Sequence, residues 1–291
     1  MTLAHYILEG GTAGKARLDV LASVMQPVTG ALLLRAGVMT SDRCVDVGCG
    51  GGHVTRELAK LVGPSGSALG IDLDGDVIAL ARHDADVAGL ENIAFHVGEA
   101  TSIPEGCYDV AYGRFLLSHV PDPGAVLSAM VSSLAPGGLV ILEDTDFAGG
   151  VCYPRCSAYE RLCELVRETV RRRGGNAEIG PALPSLVRQA GIAQVALGVS
   201  QPAALTGEVK FLMQLTLERI RDSILEERLA TPPALERLHA ELRGYCEDPT
   251  TLMAVPRVIQ VWGRKRPSDP QARTAADGCT SPNYPVEGPI A

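Results

Sequence analysis

Eleven residues constrain this chain more than any others: Val45-Asp46-Val47-Gly48-Cys49-Gly50-Gly51-Gly52-His53-Val54-Thr55. They read as a buried β-strand that runs into a glycine-rich turn and opens a helix. The glycines fall at Gly48, Gly50 and Gly52, with an acid, Asp46, two residues before the first. A turn without Cβ atoms lets a ligand lie against bare backbone. The helix behind it, near Gly51 to Leu61, directs its N-terminal N–H groups at that ligand. A glycine triplet alone is a weak signal, and the residues that follow narrow it.

Gly63-Pro64-Ser65-Gly66 is a turn by composition. Ser67-Ala68-Leu69-Gly70-Ile71-Asp72 then reads as a second strand ending in a carboxylate. Strand, glycine turn, helix, strand and acid make up the plan of a dinucleotide-type site, in which the terminal acid takes the ribose hydroxyls. Two details pull away from a dinucleotide. The spacing is G-x-G-x-G, tighter than G-x-G-x-x-G. Asp46 also stands where it would repel a diphosphate. A cationic or zwitterionic nucleoside without phosphates fits better.

Further motifs follow in order. Val97-Gly98-Glu99-Ala100 ends a third strand, and Tyr108-Asp109-Val110-Ala111-Tyr112-Gly113-Arg114-Phe115 forms a fourth. Leu134-Ala135-Pro136-Gly137-Gly138-Leu139-Val140-Ile141-Leu142 reads as the end of a helix, a turn and a fifth strand. With these in sequence, residues 45 to about 145 resemble a class I S-adenosylmethionine-dependent methyltransferase of bacterial small-molecule type. The resemblance implies S-adenosylmethionine as cofactor, an adenosine that carries a sulfonium and an amino-acid end. It implies Asp46, Gly48, Gly50 and Gly52 in the first motif and Asp72 on the ribose. Leu73 lies against the adenine, Glu99 near the adenine amino group, and the Ala100 N–H near the ring. The end of the fourth strand, with Arg114, lies beside the methionine part. The resemblance also covers Tyr6-Ile7-Leu8 and Arg17-Leu18, a segment that in such proteins folds over the cofactor as a lid. Tyr6 is then a candidate to close the site and Arg17 a candidate partner for the methionine carboxylate.

The implied fold is α/β: a doubly wound, seven-stranded, mostly parallel sheet of Rossmann-like methyltransferase type. Strands are expected near 44–48, 68–72, 93–97, 108–113 and 138–143, with two more at Gln194–Val199 and Val258–Arg264. Strand alternating with helix at this spacing means a parallel sheet covered on both faces. The resemblance makes the last strand antiparallel, inserted beside the fifth. Residues 1–40 are expected to form a helical lid, with Leu18, Leu21, Val24 and Met25 on one face. The core is assigned to 41–205 and 256–266. Residues 206–255 are a helical insertion between the last two strands. It should lie over the C-terminal edge of the sheet, where open α/β sheets bind ligands. Leu212, Leu215, Ile220 and Ile224 are expected to line it or pack it down. Residues 267–291 are rich in Pro, Ala, Gly and Ser and read as a disordered tail.

Composition restricts the acceptor. A formal net charge of −8 is a poor match to nucleic acid, whose affinity comes largely from phosphate neutralisation. The run Arg171-Arg172-Arg173 ends an expected helix, where cations meet the helix dipole. By this reading no apolar run reaches the ~18 residues of a membrane span, and no secretion signal is expected in the first residues. The expectation is therefore a cytoplasmic enzyme acting on a small organic acceptor, with neither nucleic acid nor membrane as partner. Helices like the lid often pair between subunits in similar proteins, so a homodimer is open. Eight scattered cysteines include no C-x-x-C pair. Cys152 and Cys156 follow the fifth strand, near where substrate should arrive.

Methyl transfer needs alignment, exclusion of water and, for a hydroxyl, a place for its proton. His119, in Leu117-Ser118-His119-Val120-Pro121, is a candidate base by its near-neutral titration. Asp144 is the second catalytic candidate, from the cluster Glu143, Asp144 and Asp146. No set of metal ligands is recognisable, and Asp122 is expected to cap a helix. The expectation is O- or N-methylation of a specialised metabolite. Quinone-type C-methylation, or cyclisation that leaves the cofactor unconsumed, remains the alternative.

Overall fold

The computed structural model describes residues 11–105 and 107–267, with side chains from Arg17 onward. Tyr6, the first ten residues of the expected lid and the expected tail from residue 268 lie outside the described residues. In chain order the elements are α1 Gly11–Ala36, β1 Arg43–Val47, α2 His53–Val62, β2 Ser67–Asp72, α3 Gly75–Val87, β3 Ile93–Val97, β4 Tyr108–Arg114, α4 Pro123–Ser133 and β5 Leu134–Asp146. They continue with β6 Cys152–Tyr153, α5 Ser157–Arg172, α6 Leu183–Gln189, β7 Val195–Ser200, β8 Ala203–Ala204, α7 Glu208–Glu226, α8 Pro232–Glu247, β9 Leu252–Ala254 and β10 Arg257–Arg264.

Seven strands form one sheet in the order β3-β2-β1-β4-β5-β10-β7. β1 pairs parallel with β2 and β4, and β4 with β5, while β10 runs antiparallel between β5 and β7. The central strands are apolar on both faces because helices cover both. Val45 and Val47 face one core with Ala111, Val140 and Leu142, and Cys44 faces the other with Val110, Tyr112 and Ile141. Helix starts follow their local chemistry. The Asp74 carboxylate accepts from the Asp76 and Val77 N–H groups at α3, and Asp122 accepts from Ala125 N–H at α4, where Pro123 stands first.

β5 is longer than the expected 138–143. Its start pairs with Tyr108, the register shifts through the Pro136-Gly137 region, and its end pairs with Arg257 and Val258 of β10. The three-stranded sheet β6-β9-β8 was not foreseen, because its members are two or three residues long. α7 and α8 pack with α5 in a second apolar core that includes Leu162, Val166, Leu217, Ile220, Leu238 and Leu242. Leu212 instead meets Val24 and Val255, which joins α7 to α1.

The apolar character of α1 was underestimated from the sequence. Arg17–Ala36 is, by length and composition, apolar enough to cross a membrane. Here one of its faces is spent on packing, with Met25, Leu32 and Leu33 buried.

Two buried charged groups fix the helices to the sheet. Glu143, with no exposed surface, accepts from Tyr112 Oη at 2.5 Å, Thr29 Oγ1 at 2.8 Å and Gln260 Nε2 at 2.8 Å. Arg35 Nη2 donates to Gln260 Oε1 at 2.9 Å, and its guanidinium lies 4.8 Å from the Trp262 ring centre. Lys210, also fully buried, donates to the carbonyls of Asp248 and Thr251 and to Thr251 Oγ1. That contact ties the start of α7 to the loop between α8 and β9. Glu143→Ala strands three buried donors and should cost about 3 kcal/mol. Lys210→Met strands two carbonyls and should cost about 2 kcal/mol. Urea unfolding midpoints at pH 7 check both, and a Glu143→Ala variant as stable as the parent would contradict the assignment.

Candidate active site

A cavity of about 220 Å³ opens at the C-terminal ends of β1, β2 and β4. The order of the strands reverses between β1 and β4, and a crevice at such a switch point is where an open α/β sheet takes its ligand. One end of the cavity is a cradle of Asp46, Gly48, Cys49, Gly50, Gly51, Asp72, Leu73, Asp74, Gly98 and Ala100. The other end is a chamber walled by α1, α5 and α7 through Leu18, Leu21, Met25, Val166, Val170, Leu212, Met213 and Ile220, with Phe147, Val255 and Pro256.

The cradle is shaped by its own hydrogen bonds. Asp72 Oδ2 accepts from Gly50 N–H at 2.8 Å, and Oδ1 from Asp74 N–H at 3.1 Å. The carboxylate thus holds the glycine turn and keeps lone pairs for ligand hydroxyls. Burial raises its pKa, against those backbone bonds. Asp46 is 2% exposed beneath the turn, and its Oδ2 accepts from Thr55 Oγ1 at 2.6 Å. Burial pushes it up to about 6, opposed by Thr55 and by the charge of Arg114. Gly48 has φ +70°, open to glycine at little cost, and a Cβ there would meet Leu116.

Gly52 plays a different part from the one its motif suggests. It is not among the lining residues; a Cβ there would come within 2.6 Å of the Phe95 ring and 3.0 Å of Ala81. This glycine lets α2 start close to β3 and α3. Glu99 is exposed and does not line the cavity, whereas its neighbours Gly98 and Ala100 do. A one-residue step at a strand end turns the side chain to the other face.

The expected acidic cluster is dispersed. Glu143 is the hub described above. Asp144 does not line the cavity; its Oδ2 accepts from Ser118 N–H at 3.1 Å and its Oδ1 from Thr145 N–H at 2.8 Å. Burial pushes it up to about 6. These bonds make it a holder of the turn at 117–119. Asp146 pairs with Arg257. Cys152 and Cys156 do not line the cavity either, and no group of described residues could hold a metal ion. The Arg171, Arg172 and Arg173 guanidinium groups are paired with Glu168, Glu226 and Glu227.

Arg17, Arg114 and His119 do line the cavity. Arg114 Nη1 donates to Thr29 Oγ1 at 3.2 Å. Phe115 beside it holds φ +54°, a conformation that costs a non-glycine residue about 1–3 kcal/mol and that clusters at functional sites. His119 is partly buried, its open side toward the cavity. Burial, and then the charge of Arg17, lower its pKa from 6.5 to about 4, so the imidazole is neutral at pH 7. Several lining residues were missed from sequence. His53 joins Asp19 of α1 at 2.7 Å. Arg219 and Thr216 share a helical stripe with Leu212 and Ile220, and that spacing was the available signal.

A family model described as a methyltransferase domain matches residues 40–180, just under half of the chain and nearly all of the sheet's parallel part. Residues 40–180 are thus similar to a methyltransferase domain, and the sheet order is that of the class I S-adenosylmethionine-dependent methyltransferase fold. A demethylmenaquinone methyltransferase of Lactococcus lactis is 30% identical over 138 residues, 47% of this chain and 52% of that one. A ubiquinone biosynthesis O-methyltransferase of Methylococcus capsulatus is 39% identical over 104 residues, 35% and 42% of the two chains. The chain therefore spans about half the length of these curated relatives. A solved phosphoethanolamine N-methyltransferase of Haemonchus contortus, in complex with phosphomonomethylethanolamine and S-adenosylhomocysteine, shares the fold with a TM-score of 0.51. It is 17% identical, over 81% of this chain and 52% of that one.

The family's cofactor is S-adenosylmethionine, and the cradle suits it. The buried acid under the turn disfavours phosphate, and Asp72 stands ready for vicinal hydroxyls.

The titration of His119 has a measurable consequence. The unfolded chain takes up its proton near pH 6.5 and the folded chain only near 4, so the stability from a neutral His119 is present above 6.5 and lost as pH falls toward 4. His119→Asn should lose about 1–2 kcal/mol less stability than the parent between pH 7 and pH 5. Urea unfolding at both pH values reads the difference, and identical losses would contradict a buried neutral imidazole.

Proposed function

We propose that this protein methylates a small organic acceptor held in the chamber between α1, α5 and α7, with oxygen as the first choice of acceptor atom and nitrogen the second. One observation carries the reading: the cradle opens without interruption into an apolar chamber with a neutral imidazole in its wall. The bound cofactor supplies an electrophilic methyl carbon and leaves as a neutral thioether. The rest falls to the chain. Asp46, Gly48, Gly50, Asp72, Leu73, Ala100 and Arg114 hold the cofactor, with Gly52 serving the turn from behind. α1 covers the cradle with Leu18, Leu21 and Met25, and α7 closes the far side with Leu212, Met213 and Ile220. Such cover excludes water from the reacting atoms. The acceptor oxygen gains the methyl carbon and gives up its proton, and His119 is positioned to take that proton.

The names of the two quinone-pathway relatives favour a second reading, methylation at carbon or oxygen of a quinone precursor. Both readings use the same cradle, and specialised metabolism is the setting we prefer because α7, backed by α8, adds a wall to the chamber.

Calorimetry with S-adenosylmethionine and S-adenosylhomocysteine tests the cofactor half. Micromolar binding is expected for both. Asp72→Asn should weaken it about tenfold or more, since one carboxylate serves both the turn and the ligand hydroxyls. Binding of neither ligand would refute the reading. Turnover of the cofactor in the presence of an acceptor then separates transfer from non-consumptive use.

A further inference from the structure

The edge strand β7 is left bare on two sides. It ends the seven-stranded sheet, paired with β10 alone, and among the described residues no strand lies along its outer edge. Half of one face is uncovered as well. Val195 packs against the core with Leu186 and Ala190. Alternation puts Leu197 and Val199 on the same face as Val195. Their neighbours on β10, Val261 and Ile259, are buried in that core, but Leu197 and Val199 are 60% and 57% exposed. An antiparallel strand that shows one face to water normally shows polar side chains there.

Edge strands invite pairing, and natural ones are blunted by charge, proline or a bulge. The opposite edge of the sheet follows that rule: β3 contains His96 and is flanked by Glu91 and Glu99. β7 has none of these devices. Its register with β10 is unbroken from Val195 to Ser200, and between Arg188 and Glu208 the chain carries no charged residue. A chain of net charge −8 repels its own copy over most of its surface, so a neutral strip is where two copies meet at least cost. The strand is also complementary to itself. Turned about a two-fold axis through Leu197, it pairs antiparallel with its mate. Leu197 then faces the partner's Leu197, and Val195 faces the partner's Val199, so every apolar side chain of that face gains an apolar neighbour. The same pairing sets the covered Val195 end of one strand beside the bare Val199 end of the other.

We propose that two copies of this chain associate through β7, edge to edge about a two-fold axis, so that the two sheets continue as one. Such a contact presents the same patch on both copies and closes at the dimer. The pairing does not depend on the methyltransferase reading, but it reaches the chamber. Just beyond β7, Gln201 Nε2 donates to the Val255 carbonyl at 3.1 Å, and Val255 N–H donates to the Pro202 carbonyl at 3.0 Å. Val255 lines the chamber, so the segment that leaves the paired strand holds part of the chamber wall.

Sedimentation velocity of the whole chain over a concentration series tests the pairing. A small interface of this kind should give a reversible monomer–dimer equilibrium with a dissociation constant of about 10–100 µM. Leu197→Lys with Val199→Lys should weaken it about tenfold or more, because like charges then stand directly opposite one another. Both positions are exposed, so the double variant should keep the parent's circular dichroism and melting temperature in dilute solution. Leu34→Lys, at an exposed position on α1, should leave the dimer intact. The register has its own readout. The two-fold pairing brings the Leu197 Cβ atoms of the two copies to about 4.5–5.5 Å, so Leu197→Cys should cross-link under copper–phenanthroline oxidation. Val87→Cys, at an exposed position on α3, should cross-link no more than the parent. A monomer throughout the series, a dimer that survives the double lysine variant, or association beyond the dimer would each overturn the proposal. So would a Leu197→Cys variant that cross-links no better than Val87→Cys.

Discussion

Glu143 sits where four elements meet, and the placement of the site depends on it. Its carboxylate gathers Tyr112 of β4, Gln260 of β10 and Thr29 of α1. A fully buried carboxylate is tolerated only if its lone pairs are taken, and here three donors take them. The same contacts secure the antiparallel strand β10 beside β5 and pin α1 across the sheet. With Thr29 fixed, the residues one to three turns earlier, Met25, Leu21 and Leu18, overhang the cavity. Thr29 also accepts from Arg114, so the end of β4 and the helix above it are held as a unit. Packing of the N-terminal helix and the shape of the ligand site are therefore one problem, solved by one buried charge.

The acids of the end of β5 show how neighbouring residues of one type can part. Glu143 anchors a helix, Asp144 clamps the turn at 117–119, and Asp146 meets Arg257. Alternation along a strand sends Glu143 and Asp144 to opposite faces, and Asp146, two residues beyond Asp144, is taken up by Arg257. What remains to line the cavity is a cradle with carboxylates and a chamber with guanidinium groups.

The parallel sheet was legible because its central strands are short apolar runs bounded by glycine or acid, as in Val45–Val47 before Gly48 and Leu69–Ile71 before Asp72. The place of Asp72 at the end of β2 could be read from order and spacing, whereas its hydrogen bond to the Gly50 N–H could not. Gly52 could not be told from Gly48 and Gly50, because all three occupy one motif while only the structure sets Gly52 against Phe95. Glu143 and Asp144 were misplaced for a related reason. A strand's alternation says that neighbours diverge, but the faces they reach depend on what packs there, and β10 and α1 arrive from the two ends of the chain. The small sheet β6-β9-β8 left no pattern, since two-residue pairings carry no period.

The two walls of the chamber are held with unequal force. On the sheet side, the turn bearing Ser118 and His119 is clamped by Asp144 below and Asn176 behind, both through backbone bonds in a buried setting. On the helix side, α1 is anchored by Glu143 at Thr29, but its earlier turns meet the cradle through Asp19 and His53, a pair whose acid is 45% exposed. Exposed pairs of this kind contribute at most about 1 kcal/mol, and the pairing weakens further when the imidazole, lowered by burial, is neutral. Moving the turn at 117–119 breaks buried backbone hydrogen bonds, whereas the Asp19–His53 pair that holds the earlier turns of α1 is partly exposed. A turn clamped through its backbone holds the side chains it bears in one orientation toward the cavity.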